Sequence, residues 1–339
     1  MIRGRYCLAG TGHEKKKWQQ TARGYQPSHE SFRTFAAGTP GRSAEKNGIA
    51  AKNLSAPKPA DVYTFSAAAD YNLHAQNTCC EGDAMAAIKI GIIGGSGMDD
   101  PKLMKDKKEK KVKTPFGSPS SPLTTGTIGA FDVVILARHG KDHSVYPTGV
   151  NYRANISALK QEGCTHILAT TAVGSLREKI RPGDLVFADQ FIDFTKQRNL
   201  TFYTKKKVVH TPMAEPFCSD LRSLLIKSAR ELKLRHHGHG TVVTIEGPRF
   251  STRAESHMFR MLGADVINMS TVPEVILARE LGLCYQTIAM STDYDCWKDD
   301  EDPVTWEMIL ATMRKNAENV KKLLLKTVEK MKTVHSRCG

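Results

Sequence analysis

The sequence predicts an α/β domain with a largely parallel or mixed β-sheet. Short apolar runs rich in β-branched residues alternate with stretches of helical periodicity from about residue 88 onward. The 339 residues are 40% hydrophobic and 25% charged, which is the balance of a protein that can bury a sizeable core. No apolar run is long enough to span a bilayer, so the sequence predicts no membrane partner.

Residues 1–84 differ in composition from the rest of the chain and are predicted to form a disordered N-terminal extension. They are rich in Ser, Thr, Gly, Pro and Lys without sustained periodicity, so they cannot bury enough apolar area to offset their ordering entropy. A natural tail, an organelle-targeting peptide and sequence upstream of a start at Met85 are all open interpretations. Glu14 and Glu30 argue against targeting. We favour a dispensable extension before a single domain at residues 85–339.

Each predicted strand is a short apolar run closed by a turn. The runs are Ile88–Gly94, Val133–Ala137, His166–Thr171, Leu185–Ala188, Thr241–Ile245 and Cys284–Met290. The predicted helices are Tyr152–Glu162, Asp220–Leu232, Thr252–Met261 and about Val304–Lys332. In the last helix, apolar residues recur every three or four positions and mark an amphipathic face.

The chain is basic, with 49 Lys and Arg against 35 Asp and Glu and a formal net charge of +14. The basic residues are scattered apart from Lys105–Lys113 and Lys205–Lys207, which lack interleaved aromatic residues and are predicted to be solvated loops. Nucleic acid is therefore not an expected partner. The eight cysteines form no CxxC pair and have no zinc-ligand spacing, so we expect reduced thiols and no metal site.

Four predicted strands lead into polar residues that could bind an anion. Gly94–Gly97 follows the first strand, Arg138 and His139 follow the second, and Thr171–Ser175 and Asn268–Thr271 follow later ones. Amides, hydroxyls and an arginine fork are donors that suit a phosphate or carboxylate group. Each loop taken alone is equally well explained as an ordinary turn or surface loop. If the loops meet at the carboxyl edge of the sheet, they form a phosphate pocket.

Two acidic residues follow the strand Cys284–Met290. Asp293 and Asp295 could donate or accept a proton, and they could equally cap a turn, which is the reading that position alone favours. His210 lies in a predicted loop, where contact with a ligand and plain exposure are equally open.

Ten segments between Ile88 and Trp297 together resemble the trimeric nucleoside phosphorylase family, and within it the methylthioadenosine phosphorylases. They read IGIIGGSGMDDP, TPFGSPS, ARHG, NYRANI, TTAVGSL, PGDLV, PMAEPFC, IEGPRFSTRAE, GADVINMSTVPEV and MSTDYDCW. The resemblance implies a twisted mixed β-sheet, partly closed into a barrel, with flanking helices. It also implies a cytoplasmic or also nuclear homotrimer that needs no metal or organic cofactor and uses inorganic phosphate as a co-substrate.

The resemblance also assigns roles to individual residues. The phosphate pocket would consist of Ser96, Arg138, His139, Thr171, Ala172 and Ser270. The nucleoside would contact Phe250, Met269, Asp293, Tyr294 and Asp295. Specificity would depend on Ser251, Trp306 and His210, the last of which is expected to reach the site of a neighbouring subunit.

The implied reaction is phosphorolysis of S-methyl-5'-thioadenosine to adenine and 5-methylthioribose 1-phosphate, a step of purine and methionine salvage. Bound phosphate would stabilise an oxocarbenium-like ribosyl group and then capture C1'. Asp293, the expected catalytic residue, would protonate N7 of the departing adenine.

Two positions favour adenine over 6-oxopurines. Phosphorylases of inosine and guanosine resemble this chain but have a Glu in place of Ser251 and an Asn in place of Asp293. A Glu accepts a hydrogen bond from the N1–H of hypoxanthine or guanine, whereas N1 of adenine carries no proton. An unmatched buried polar group costs about 1–3 kcal/mol, so the two positions together would set a preference on the order of hundreds-fold.

Two departures from the family pattern concern the 5' end of the substrate. The loop between Tyr203 and His210 is shorter than in vertebrate-type members, and the chain ends at Gly339, before a segment that helps cover the methylthio group. The choice between methylthioadenosine and adenosine is therefore left open. Two alternatives also remain: a general purine nucleoside phosphorylase acting on inosine and guanosine, and a nucleoside-binding protein without catalysis.

A chain that begins at Met85 should keep the phosphorolytic activity and the assembly state of the full chain, because residues 1–84 contribute no predicted core. Base release and size-exclusion chromatography of the two chains check this expectation. An inactive or differently assembled shorter chain would place the extension inside the functional protein.

Overall fold

The structure is a computed structural model that describes residues 88–94, 104–204, 208–299 and 305–331. The predicted N-terminal extension, the Met85 boundary, Ser96 and the Lys205–Lys207 stretch lie outside the described residues.

Eleven strands within the described ranges form one mixed β-sheet. They are β1 (Lys89–Gly94), β2 (Lys105–Lys110), β3 (Leu123–Ile128), β4 (Phe131–Ala137), β5 (His166–Ser175), β6 (Leu185–Val186), β7 (Gln190–Phe194), β8 (His236–His237), β9 (Thr241–Ile245), β10 (Val266–Asn268) and β11 (Cys284–Asp293). Their order is β2-β3-β4-β1-β5-β10-β9-β7, and β11, β6 and β8 continue from β5. The predicted mixed sheet is thus confirmed.

The sheet branches at β5, the strand on which the other pairings depend. The first half of β5 pairs in parallel with β1, its last two residues pair antiparallel with β10, and β11 runs parallel along nearly its whole length. The described strands end at β2, β7 and β8 without closing into a ring. The expected partial closure into a barrel is therefore wrong for the described strands, and the sheet branches instead. The ten residues of β5 are enough to pair with both β1 and β10 along one side.

Five helices cover the sheet within the described ranges. They are α1 (Tyr152–Gln161), α2 (Ser219–Glu231), α3 (Arg253–Met261), α4 (Thr271–Glu280) and α5 (Trp306–Glu329). Asn151 begins α1 by accepting a hydrogen bond from the amide of Ala154 at 3.1 Å, and Thr252 and Glu255 form a reciprocal capping box at α3. The four predicted helices are confirmed, whereas α4 adds a helix that the sequence patterns did not predict.

Both faces of the central strands are buried, because side chains alternate along each strand. In β1, Ile90 and Ile92 belong to a core that α2 and α5 cover, whereas Ile93 packs on the opposite face with Leu159 of α1. Helix α4 contributes to the same core as α1 through residues such as Leu277. Burial on two faces explains why these strands are continuous apolar runs in the sequence.

The prediction of a solvated loop at Lys105–Lys113 is wrong for most of its length. Lys105–Lys110 forms β2, which pairs with β3 alone and is exposed except at Lys107. Charged side chains suit a strand at the edge of a sheet because they discourage pairing with another chain. The charge of this stretch therefore reflects its edge position.

No disulfide joins the four cysteines among the described residues, Cys164, Cys218, Cys284 and Cys296. No helix in the described part of the chain is both long and apolar enough to cross a membrane.

Candidate active site

One cavity of about 340 Å³ lies where β4, β5, β10 and β11 approach one another. The sequence-predicted residues that line it are Arg138, His139, Thr171, Ala172, Phe250, Ser251, Met269, Ser270, Asp293 and Asp295. Because β4, β1, β5 and β11 are parallel, the ends of these strands lie at the same edge of the sheet. Three of the four predicted polar loops, those at Arg138, Thr171 and Asn268, therefore meet at this cavity, whereas residues 95–97 of the fourth lie outside the described residues.

The turn after β10 reaches this edge by a different route, since β10 runs antiparallel to β5. Val266 lies opposite Ser175, and Ile267 lies opposite Gly174. Continuing this register carries Ser270 back to Thr171, whose hydroxyl oxygen lies 2.9 Å from that of Ser270. Both side chains are buried, and together they place two hydroxyl groups at the cavity wall.

Four predicted site residues are not placed in the cavity. Ser96 lies outside the described residues, and Trp306 begins α5 with a side chain that is not described. The Tyr294 ring packs edge-on against Trp297, away from the cavity lining. His210 is exposed, and its predicted role in a neighbouring subunit's site stays a prediction.

Arg138 is buried beside a carboxylate that the sequence patterns did not reveal. Its Nε donates to Oε1 of Glu274 at 2.5 Å, and its Nη2 donates to Oε2 at 2.9 Å. The Nη1 group donates to the carbonyl of Thr170 at 2.8 Å. The guanidinium has five N–H groups, so one on each terminal nitrogen is left for a ligand.

The ion pair between Arg138 and Glu274 has a third member. The Tyr285 hydroxyl donates to Oε2 of Glu274 at 2.9 Å, and Tyr285 and Glu274 are fully buried. Burial opposes the charge of Arg138, but the adjacent Glu274 carboxylate raises the arginine pKa above its ordinary value. The pocket therefore contains a permanent cation whose charge is already partly balanced by the protein.

His139 lines the cavity, and one of its ring nitrogens is already hydrogen-bonded within the protein. Its Nδ1 lies 2.8 Å from the carbonyl oxygen of Val145, and because a carbonyl can only accept, Nδ1 carries the proton. Burial and the nearby charge of Arg138 lower the pKa of His139 to about 4, so the ring is neutral at neutral pH. Its other nitrogen, Nε2, is therefore an acceptor.

Asp293 lies at the end of β11, at the other side of the cavity from Arg138. It lies opposite Gly174, where an added Cβ would come within 3.1 Å of the Asp293 Oδ1 atom. Oδ1 accepts the amide of Asp295 at 2.7 Å, and Oδ2 accepts the hydroxyl of Thr292 at 2.6 Å. Burial, helped by the charge of Asp295 and opposed by these hydrogen bonds, raises the pKa of Asp293 to about 6.

The residues around Asp293 form a wall of mixed polarity. The Ser251 hydroxyl donates to Oδ1 of Asp295 at 3.3 Å, so the two predicted specificity and substrate residues contact each other directly. Phe250 remains 42% exposed and Met269 is half-buried, which leaves both able to pack against a ligand. The Met269 Sδ lies against Gly247, whose φ is +70°, and a Cβ added to that glycine would come within 2.5 Å of the sulfur.

The remaining wall of the cavity is apolar and includes residues that the sequence analysis had not assigned to the site. Ile309 and Met313 of α5 lie here together with Tyr146. The amphipathic pattern of α5 predicted both residues as buried positions. Their spacing does not distinguish residues that pack in the core from residues that line a cavity.

No group of three His, Cys, Asp or Glu side chains within the described ranges is arranged to hold a metal ion. The available chemistry is that of a partly balanced arginine, several neutral donors and two carboxyl groups whose pKa burial raises, Asp293 and Asp295. Such a cavity can bind an anion at one end and exchange a proton at the other.

The profile of the phosphorylase superfamily matches residues 89–329 of this chain. The S-methyl-5'-thioadenosine phosphorylase of Xenopus tropicalis is 56% identical over 250 residues, which cover 72% of this chain and 89% of that protein. The enzyme of the same name from Danio rerio is 57% identical over 246 residues, covering 71% and 88%. This chain belongs to the S-methyl-5'-thioadenosine phosphorylase family.

Solved structures of this family agree with the fold. The methylthioadenosine phosphorylase of Schistosoma mansoni in complex with adenine aligns with a TM-score of 0.70 and 47% identity, covering 73% of this chain and 93% of that one. A single-site variant of the adenosine/methylthioadenosine phosphorylase of the same organism, in complex with methylthioadenosine, aligns with a TM-score of 0.70 and 46% identity over the same shares. The resemblance read from ten short segments is thereby confirmed at the level of the whole domain.

Replacing Glu274 with Gln should lower the free energy of unfolding by about 3–5 kcal/mol, because Arg138 would then be a buried charge without its partner. The matched control is Tyr285→Phe, which removes one hydrogen bond from the same carboxylate and should cost about 1–3 kcal/mol. Equilibrium unfolding in urea measures both. A Glu274→Gln loss no larger than that of Tyr285→Phe would show that the ion pair does not hold this part of the fold.

Proposed function

We propose that this chain cleaves S-methyl-5'-thioadenosine with inorganic phosphate to give adenine and 5-methylthioribose 1-phosphate. The observation that carries the proposal is a single cavity that joins the Arg138 end to the Asp293 end. An anion held at the first end and a purine at the second would bring the two reacting partners onto opposite sides of the ribose.

At the anion end, the spare N–H groups of Arg138 and the hydroxyls of Thr171 and Ser270 would accept phosphate as a ligand. Water is largely excluded here, which strengthens each hydrogen bond and holds the nucleophile beneath C1'. Phosphate then stabilises the positive charge that develops on the ribosyl group and forms the new C1'–O bond. Ser96 completes this pocket in the proposal, as the family resemblance implies.

At the purine end, Asp293 gives its proton to N7 as the glycosidic bond breaks. A carboxyl group with a pKa of about 6 is protonated in a useful fraction of molecules near neutral pH, whereas an ordinary aspartate is not. Protonation of N7 removes the negative charge that would otherwise build up on the leaving adenine. The carboxylate that remains can accept a hydrogen bond from the 6-amino group.

The preference for adenine has a structural argument at Ser251. Its hydroxyl contacts Asp295, and Asp295 lies hydrogen-bonded beside Asp293. A Glu in place of Ser251, as in phosphorylases of inosine and guanosine, would add a third carboxylate to this cluster. This arrangement favours the adenine reading over the general purine nucleoside phosphorylase.

The apolar wall supports a methylthio group at the 5' position. The side chains of Ile309 and Met313 offer no hydrogen-bond donor to a 5'-hydroxyl, whereas a thioether packs on such a surface. Adenosine would therefore be the weaker of the two adenine nucleosides in this account.

We further propose a cytoplasmic homotrimer that needs no metal or organic cofactor, with residues 85–339 as its functional domain. The family resemblance supports the trimer, and exposed apolar side chains offer surface that subunit contacts would bury. The most exposed are Tyr146, Val208, Met261 and Leu262.

Ultraviolet spectroscopy of base release tests the proposed activity. With phosphate present, we expect fast release of adenine from methylthioadenosine, slower release from adenosine and the slowest turnover of inosine. Without phosphate, release should stop. Absence of adenine release would leave a nucleoside-binding protein without catalysis, and faster turnover of inosine would favour the general phosphorylase.

The Asp293→Asn variant tests the proton donor. We expect turnover of methylthioadenosine to fall about 100–10,000-fold, because the amide cannot transfer a proton to N7. The variant should also be more stable, since the folded protein disfavours the ionised carboxylate. Ionisation of Asp293 lowers the free energy of unfolding of the unaltered chain. This loss is absent below the ordinary pKa of 3.8 and complete above about 6, where it reaches about 3 kcal/mol.

Urea unfolding of the two proteins from mildly acidic to mildly alkaline pH measures the second effect. The stability advantage of Asp293→Asn should grow as the pH rises towards 6 and then level off. An advantage that does not change with pH, or a variant with full turnover, would contradict the assigned role of Asp293.

A further inference from the structure

The neutral ring of His139 imposes a requirement on whatever anion occupies the pocket. Its Nδ1–H is committed to the carbonyl of Val145 at 2.8 Å, so Nε2 is the nitrogen left for a ligand. With the proton on Nδ1, Nε2 has only a lone pair to offer. A ligand oxygen without a hydrogen would therefore meet the His139 lone pair without a hydrogen bond.

The surroundings of His139 keep the ring in this state. Arg138 is the adjacent chain residue, and its positive charge opposes a second cation beside it. The ring of His143 lies with its centroid 4.8 Å from that of His139, and burial and Arg138 lower its pKa as well. Arg198 adds a further positive charge that lowers the pKa of His139, and the Glu274 carboxylate is already paired with Arg138.

The other groups at this end of the cavity demand acceptors from the same ligand. Arg138 has N–H groups to spare on its two terminal nitrogens. The Thr171 hydroxyl donates to the Ala172 carbonyl at 3.1 Å and lies 2.9 Å from the Ser270 hydroxyl, and rotation of either hydroxyl turns its hydrogen towards a ligand. The matching ligand is an anion that carries several bare oxygens and one O–H group. Hydrogen phosphate has this pattern, whereas sulfate has the same shape without the proton.

We propose that His139 Nε2 accepts a hydrogen bond from the P–OH group of hydrogen phosphate and so selects phosphate over aprotic anions of equal charge and shape. The inference rests on the proposed phosphorolysis. His139 thereby also fixes which oxygen bears the proton, and it leaves the bare oxygens to Arg138, the hydroxyls and C1'.

The proton and charge balance of the reaction agree with this assignment. A bare oxygen of the hydrogen phosphate dianion forms the bond to C1' as the C1'–N9 bond breaks, and the electron pair of that bond goes to adenine. Asp293 supplies the proton to N7 and becomes a carboxylate. The sugar phosphate leaves as a monoanion, with its P–OH proton still on the oxygen next to His139. The two negative charges of the hydrogen phosphate dianion are thus divided between the sugar phosphate and the Asp293 carboxylate.

Monofluorophosphate is the probe that isolates the proton. At mildly alkaline pH it is a dianion like hydrogen phosphate, with fluorine in place of the hydroxyl group. Calorimetric titration of the full chain with phosphate, monofluorophosphate and sulfate gives the three dissociation constants. We expect phosphate to bind about ten-fold more tightly than either of the others, the value of one hydrogen bond in a buried site.

Two substitutions at one position make the assignment specific. His139→Leu removes the acceptor and should bring the ratio of the phosphate and fluorophosphate constants close to one. His139→Gln can present an amide oxygen at the place of Nε2 and should keep much of the ratio. His143→Leu, the matched control on the neighbouring ring, should keep the ratio even if both affinities change.

The outcomes separate this inference from the proposed function. If the unaltered chain releases no adenine with phosphate, the proposed function fails. If it does, but binds phosphate and monofluorophosphate equally, or if His139→Leu keeps the full ratio, the role of His139 is overturned while the function stands. If His139→Leu binds neither anion measurably, retention of the ratio by His139→Gln supports the role and its loss refutes it.

Discussion

The buried ion pair between Arg138 and Glu274 is the interaction on which the rest of the site depends. A guanidinium removed from water needs a carboxylate partner, and here that partner comes from α4, which starts directly after the Ser270 turn. The pair therefore ties the end of β4 to α4 and holds Ser270 against Thr171 of β5. The same pairing reduces the net charge that the pocket presents to an anion, so binding relies on oriented donors more than on charge.

The two ends of the cavity use burial in opposite ways. At Arg138, burial is offset by a partner, and the charged form is kept. At Asp293, burial outweighs the hydrogen bonds from the Thr292 hydroxyl and the Asp295 amide, so the pKa of the carboxyl group rises to about 6. His139 follows the second pattern, because desolvation keeps its ring neutral and makes it an acceptor. The fold therefore sets the ionisation state of each group. It gives Arg138 a partner of opposite charge, which keeps the cation for phosphate binding, and it buries Asp293 and His139 without one.

Local patterns predicted the central strands and four helices, because residues such as Ile90 and Ile167 belong to apolar runs that are buried on both faces. They failed for β2, whose charged residues carry no strand pattern, and for α4, where Pro273 and the non-helical Val272 interrupt the helical signal. Loop convergence could be anticipated from parallel strands. Contacts between distant segments could not: Glu274 meets Arg138 across 136 positions, and the tautomer of His139 depends on the carbonyl of Val145.

The central claim is that phosphate, held at the Arg138 end of the cavity, is the nucleophile that cleaves the glycosidic bond. It is tested most directly by incubating the full chain with methylthioadenosine and phosphate labelled with oxygen-18 on every oxygen. Mass spectrometry then identifies the sugar product. The account predicts 5-methylthioribose 1-phosphate that keeps all of the phosphate's labelled oxygens. Release of adenine together with unphosphorylated 5-methylthioribose would show that water is the nucleophile and would contradict it.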